Sequence, residues 1–264
     1  VNFYAFEGNK SDLLLTKEVT PPKKVYKDPG YQNPQEGIVK STVYDPSVTK
    51  KSDVYKFFFG RHYRSTYGKE ISVKSANLDK LYGGLTPSRM GGGHQTNSLR
   101  LVDNQNREYN MRAVKKSATR FIQSVAFKNE YVVDEFENTF TEKFLMDFYT
   151  TSHPFYPMTI PSMQKALNIY HAQPQLYYIP KQTGLKEYNE FFGDELYMIE
   201  ERPTVEHQDF DRFGSPKDII ATDEILANIQ KNPQTKVDKE MYMRVRLFDM
   251  LIGDWDRHED QWRW

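Results

Sequence analysis

Leu251-Ile252-Gly253-Asp254-Trp255-Asp256-Arg257-His258-Glu259-Asp260-Gln261-Trp262 is the stretch on which the fold turns. Upstream, Val237, Met241, Val245, Phe248 and Ile252 make one helical stripe, and Gly253 is a natural stop for it. The helix then releases Asp254, Asp256, Glu259 and Asp260 with Arg257 and His258, and loops set on a rigid helix are where catalytic groups concentrate. Trp255 and Trp262, interleaved with these charges, favour an ordered site over a solvated charge run. A cation held by His258 with the neighbouring carboxylates is chemically open. A single His disfavours zinc, and carboxylate sites for hard cations need convergence that a local run does not ensure.

Working back, Glu195 to Ile199 and Gln175 to Ile179 read as strands, closed by Glu200-Glu201-Arg202-Pro203 and by Pro180. The first closing segment reads as a hinge between lobes or as an ordinary strand end. Phe140, Phe144, Leu145 and Phe148 define a helix ending before His153-Pro154, Ser162 to about His171 reads as a second, and Ser215-Pro216-Lys217-Asp218 as a helix start. Ser98 to Val102 and Tyr109 to Lys115 are strands around a polar hairpin turn, Asp103 to Arg107. The glycine-rich Arg89-Met90-Gly91-Gly92-Gly93-His94-Gln95 opens the first of them. It suits close approach to a phosphate or a flexible turn, and matches neither the P-loop nor the dinucleotide fingerprint. In Arg112-Ala113-Val114-Lys115-Lys116, alternation sends Ala113 and Lys115 to one face and Val114 and Lys116 to the other. A lysine aimed inward there would meet nucleotide phosphates; a solvated strand end reads the same way. Strands dominate the first half and helices the second, an α+β arrangement in two lobes.

Residues 1–55, with Pro21-Pro22, Asp28-Pro29-Gly30 and Asn33-Pro34, read as an extended arm or linker. Residues 56–203 read as a strand-rich lobe with inserted helices, and 204–264 as the start of a helical lobe. The chain begins at Val1 and stops three residues after Gln261, which reads as a fragment. Composition bounds the rest. Lys plus Arg equals Asp plus Glu at 36 each, so no general attraction to nucleic acid is expected. No apolar run approaches the ~20 residues that span a bilayer. Cysteine is absent, which removes disulfides and thiol chemistry. With 18 Tyr and 17 Phe the chain can build a real core.

Taken in order, these motifs resemble atypical protein-kinase-like folds: HipA-type bacterial kinases, secretory-pathway casein kinases and phosphatidylinositol kinases. A closer resemblance is to large envelope proteins of Bacteroidetes-type bacteria. It rests on Phe59 to Arg64, Gly83 to Pro87, Gly91 to Leu101, Glu200 to Pro203 and Gly253 to Trp262. In that family the segment is joined to a calcineurin-like phosphoesterase and a BamA-like outer-membrane barrel. The resemblance implies a two-lobed kinase-like fold with a truncated helical lobe, located in the bacterial cell envelope (periplasm or outer membrane). It implies ATP and Mg²⁺ as ligands, and other envelope proteins or domains as partners. Asp256, Arg257 and His258 would form the catalytic loop. Gly91, Gly92, Gly93 and Gln95 would contact phosphate, and Lys115 would hold it. Asp147 or Glu142 would pair with that lysine, Glu201 would sit at the hinge, and Gln261 would approach the metal. It also implies a second metal-binding Asp on a strand beyond the catalytic loop. Two functions follow as expectations: a phosphotransferase acting on a hydroxyl acceptor, and a non-catalytic kinase-like module of an outer-membrane assembly. Carbohydrate binding has only the Tyr and Trp content behind it.

Overall fold

Alternating apolar residues in three consecutive strands build the centre of the molecule. The computed structural model describes residues 29–91, 96–125 and 139–264. Its strands are β1 (Gly37–Ser41), β2 (Ile71–Ser75), β3 (Thr86–Met90), β4 (Thr96–Val102), β5 (Glu108–Lys116), β6 (Gln175–Ile179) and β7 (Glu195–Glu201). They form one mixed sheet in the order β1-β2-β6-β7-β5-β4-β3, antiparallel except where β2 meets β6. The described helices are α1 (Pro46–Thr49), α2 (Asp53–Phe59), α3 (Arg64–Tyr67), α4 (Ala118–Val125), α5 (Phe140–Tyr149), α6 (Ile160–Ala166), α7 (Thr222–Lys231) and α8 (Lys239–Ile252). The expected α+β class is present.

Successive side chains of a strand point to opposite faces, and each face carries a buried apolar cluster. On the first face Leu99, Leu101, Tyr109, Met111, Ala113, Tyr197 and Ile199 pack with Leu78, Leu85, Leu185 and Phe192. On the second, Val73, Val114 and Leu196 pack with Val43, Tyr44 and Tyr67. The β4–β5 register runs from Thr96↔Lys116 to Ser98↔Arg112, so Ala113, Val114 and Lys115 form a bulge. Asp103 shapes the β4–β5 turn by accepting hydrogen bonds from the backbone N–H groups of Gln105 and Arg107.

Four expectations need correction. The second helix does not extend to His171: α6 runs from Ile160 to Ala166. The arm ends before Gly37: β1 is the edge of the sheet, and Val43 and Tyr44 are core residues. No helix starts at Ser215, whose φ of +47° is left-handed; α7 begins at Thr222. Helix α5 has its expected span but not its expected face. Phe140, Phe144 and Phe148 point outward, while Asp147 is buried. The reason is Arg64, the buried guanidinium of α3, which pulls the Asp147 carboxylate and its side of the helix inward.

Candidate functional site

The loop after α8 is held by a chain of polar anchors. Asp238 caps the helix by accepting from the Met241 N–H at 2.9 Å. Gly253 ends it with a φ of +75°, a left-handed conformation that costs a residue with a Cβ about 1–2 kcal/mol. The Asp254 N–H closes the turn on the Asp249 carbonyl at 2.8 Å. Arg257 then folds back on the helix, its Nε donating to Asp249 Oδ2 at 2.8 Å, where Arg246 Nη1 also donates at 3.0 Å. Asp249 is fully enclosed, and its other oxygen, Oδ1, has no hydrogen-bond partner among the described residues. The Arg257 guanidinium lies 5.4 Å from the centre of the Trp262 ring. Trp262 and Trp264 pack against Tyr242, and the backbone of Trp264 pairs with Ile220.

These anchors leave Asp256 exposed between two tethered residues, Asp254 and Arg257, whose charges are 3.7 Å apart. Asp254, Trp255, Asp256 and Arg257 form one wall of a cleft of about 880 Å³. Glu200, at the end of β7, stands in the same lining, with Tyr63, His153, Tyr156 and Gln164. Burial raises the Glu200 carboxyl above the ordinary range. The Arg112 charge opposes this and Glu201 reinforces it. A smaller cavity of about 480 Å³, beside the β3–β4 hairpin, contains none of the expected residues.

The other expected residues are distributed differently. Lys115 is half exposed and pairs with Glu195 at 3.5 Å. Glu195 lies two positions before Tyr197 on β7, so this pair belongs to the first sheet face. Lys116 belongs to the second, the face of Val114 and Glu200, and its Nζ donates to Thr96 Oγ1 at 3.1 Å. Burial and the nearby Arg112 lower its pKa.

Asp147 meets Arg64 in a two-point ion pair at 2.7 and 2.8 Å and accepts from Tyr55 Oη at 3.0 Å. The expected Asp147–Lys115 pair is therefore not formed. Glu142 lies in the first turn of α5, capped by Thr139. The Glu201 side chain accepts from the Gln173 N–H at 2.8 Å and pairs with Arg212, fastening β7 to the segment behind it. Gly91 approaches Ser98 so closely that an added Cβ would lie 2.7 Å from its hydroxyl. Gly92, Gly93 and Gln95 lie outside the described residues. His258 and Gln261 are exposed, His258 beside Asp260 at 3.6 Å and Gln261 in a short helical turn, Glu259–Gln261.

Two positions escaped the sequence pattern. Asp249 directly follows Phe248 and is the charged residue on the inner side of α8, legible only once the phase of the helix is known. Arg64 lies in the quoted Phe59 to Arg64 motif, but nothing local points it at a residue 83 positions away. Among the described residues no three His, Asp or Glu side chains converge into a metal site, so the carboxylates after α8 do not form a ready-made cation cage. No family model, curated protein or solved structure matches the chain.

Proposed function

We propose that this chain is a kinase-like, nucleotide-binding domain of a bacterial envelope protein. It binds ATP with Mg²⁺ and transfers the terminal phosphoryl group to a hydroxyl acceptor. The observation that carries the reading is the cleft itself. There Asp256, on a loop locked through Arg257 to the buried Asp249, stands in one lining with Glu200 at the end of β7. The sheet order supports it: the hairpin opened by Gly91, the strand of Lys115 and Lys116, and the strand leading into Glu200 to Pro203 are consecutive neighbours. In this scheme the acceptor oxygen attacks the terminal phosphorus, the bond to the bridging oxygen breaks, and Asp256 takes the acceptor proton. Mg²⁺ belongs to the reading as the counter-ion that the polyphosphate brings. The periplasm or outer membrane is the proposed location. A calcineurin-like phosphoesterase and a BamA-like barrel are the proposed neighbours. Among the described residues no helix is long and apolar enough to cross a membrane.

One observation favours a non-catalytic interaction module instead. Helix α8 exposes Met243, Leu247, Met250 and Leu251, and Trp255 beside them is 81% exposed. Apolar surface of this kind marks association with a partner. Calorimetric titration with ATP, with and without Mg²⁺, on the wild type and Asp256→Ala separates the two. Binding by both proteins, with phosphoryl transfer lost only in the variant, supports the enzyme. Absence of ATP binding by the wild type leaves the interaction module.

A further inference from the structure

The cleft that would receive a nucleotide is acidic, with Glu200, Asp254 and Asp256 set against Arg257. Its lining alone offers a polyphosphate one guanidinium, Arg257, and further positive charge lies beside it on the second sheet face. Arg89 and Arg100 stand directly opposite each other in the β3–β4 ladder, an arrangement that is ordinarily destabilising for like charges. Arg100↔Asn110 and Ser98↔Arg112 in the next ladder bring Arg112 to the same face. Arg100 and Arg202 share one carboxylate, that of Glu108, at 3.3 and 2.8 Å. Arg112 reaches Glu200 at 3.7 Å, which ties the cluster to the cleft lining. Lys116, on this face too, has the neutral Thr96 hydroxyl as its partner.

The cations thus outnumber Glu108 and Glu200, and the crowding is felt. The Arg100 pKa is pushed down to about 10, first by burial, with Arg202, Arg89 and Arg112 adding to it against the pull of Glu108. Arg100 is largely enclosed and held in place, whereas Arg112 is 57% exposed and Arg89 is open to solvent. Guanidinium groups offer paired donors that match phosphate oxygens, and a preorganised surplus of them is stabilised by an incoming anion.

We infer that this face is an anion site for a phosphoryl group, with Arg89, Arg100 and Arg112 as its ligands, and that it, rather than Lys115, holds the polyphosphate. The inference rests on the nucleotide reading only for the identity of the remainder of the ligand.

The test is calorimetric titration with inorganic tripolyphosphate, ATP and adenosine. The proteins compared are the wild type, the double variant R89Q/R112Q, and K115Q, with folding checked by thermal melting. The expected result is tripolyphosphate and ATP binding that falls about tenfold or more in R89Q/R112Q and is unchanged in K115Q. R100K keeps the charge but loses the fork, and is expected to bind less tightly than wild type, which guards against a double variant that fails to fold. Failure of tripolyphosphate to bind, or binding indifferent to R89Q/R112Q, overturns the site. ATP binding with no tripolyphosphate binding overturns the site and spares the nucleotide reading. Tripolyphosphate binding with ATP and adenosine both unbound supports the anion site and removes the nucleotide.

Discussion

Replacing Asp147 with alanine would leave the most enclosed guanidinium among the described residues without its counter-charge. The Arg64 and Asp147 side chains are 3% and 6% exposed, and two hydrogen bonds join them. Lys51, at 3.9 Å, is the other cation near the carboxylate. The remaining Arg64 donors are occupied by the Gly60 and Arg61 carbonyls and by His62, so the guanidinium cannot swing into water when the carboxylate is lost. Removing one partner of such a pair costs about 3–5 kcal/mol. At about 2–4 °C per kcal/mol for a chain of this size, Tm falls by roughly 6–20 °C. Removing both charges together, in Arg64→Met with Asp147→Leu, restores most of that loss. By contrast, the half-exposed Lys115–Glu195 pair is a surface pair, and Lys115→Ala costs at most about 1 kcal/mol.

Acid adds a second readout. Burial on its own raises the Asp147 carboxyl, but hydrogen bonds from Arg64 and Tyr55 and the charges of Arg64 and Lys51 outweigh it and hold it low. Its stabilisation is therefore complete above the unfolded value of ~3.9 and is lost as pH falls through the lower folded value. Wild type should lose more stability than Asp147→Ala over that acid range. Urea denaturation midpoints at a series of pH values measure both effects. A loss under about 1 kcal/mol in Asp147→Ala, or an equal loss in Lys115→Ala, would refute the assignment of Asp147 to Arg64.

His207 is fully buried, and burial, with Arg107 adding to it, lowers its pKa against the pull of Glu201 and Asp103. A neutral buried His contributes stability above the unfolded value of ~6.5 that is lost as pH falls, so His207→Gln should flatten the dependence between about pH 7 and 5.5; unfolding curves with identical slopes would contradict this. Tyr44→Ala should cost about 3–5 kcal/mol in a chemical melt, because Tyr44 is core rather than arm. Asp249→Ala should cost about 1–3 kcal/mol and expose residues 253–258 to proteolysis, since it frees Arg257. An unchanged cleavage pattern would mean that the loop is held by its tryptophans alone.

Where local chemistry decides, the sequence was readable. The β4–β5 hairpin follows from alternating apolar residues around a polar turn, β6 has its expected bounds, and Gly253 ends α8 as its position foretold. Tertiary pairing was not readable. The Phe140, Phe144 and Phe148 stripe marks a helix correctly and its buried side wrongly, because one long-range ion pair with Arg64 outweighs the apolar face. The edge strand β1 is short and half polar, and only its pairing with β2 makes it a strand. Within the candidate site, Asp256 and Arg257 could be picked out from their setting after a helix stop. The choice between Lys115 and Lys116 depended on which sheet face carries the cleft, which a strand's own alternation cannot tell.

Hydrogen exchange with and without ATP tests the central claim most directly, because it locates a ligand without assuming its contacts. Bound ATP is expected to slow exchange in residues 86–90, 96–102, 108–116, 198–203 and 252–262, with β1 at the far edge of the sheet unaffected. Unchanged exchange throughout, or protection confined to the smaller cavity around Asp79, Gly83 and Asn104, would contradict it.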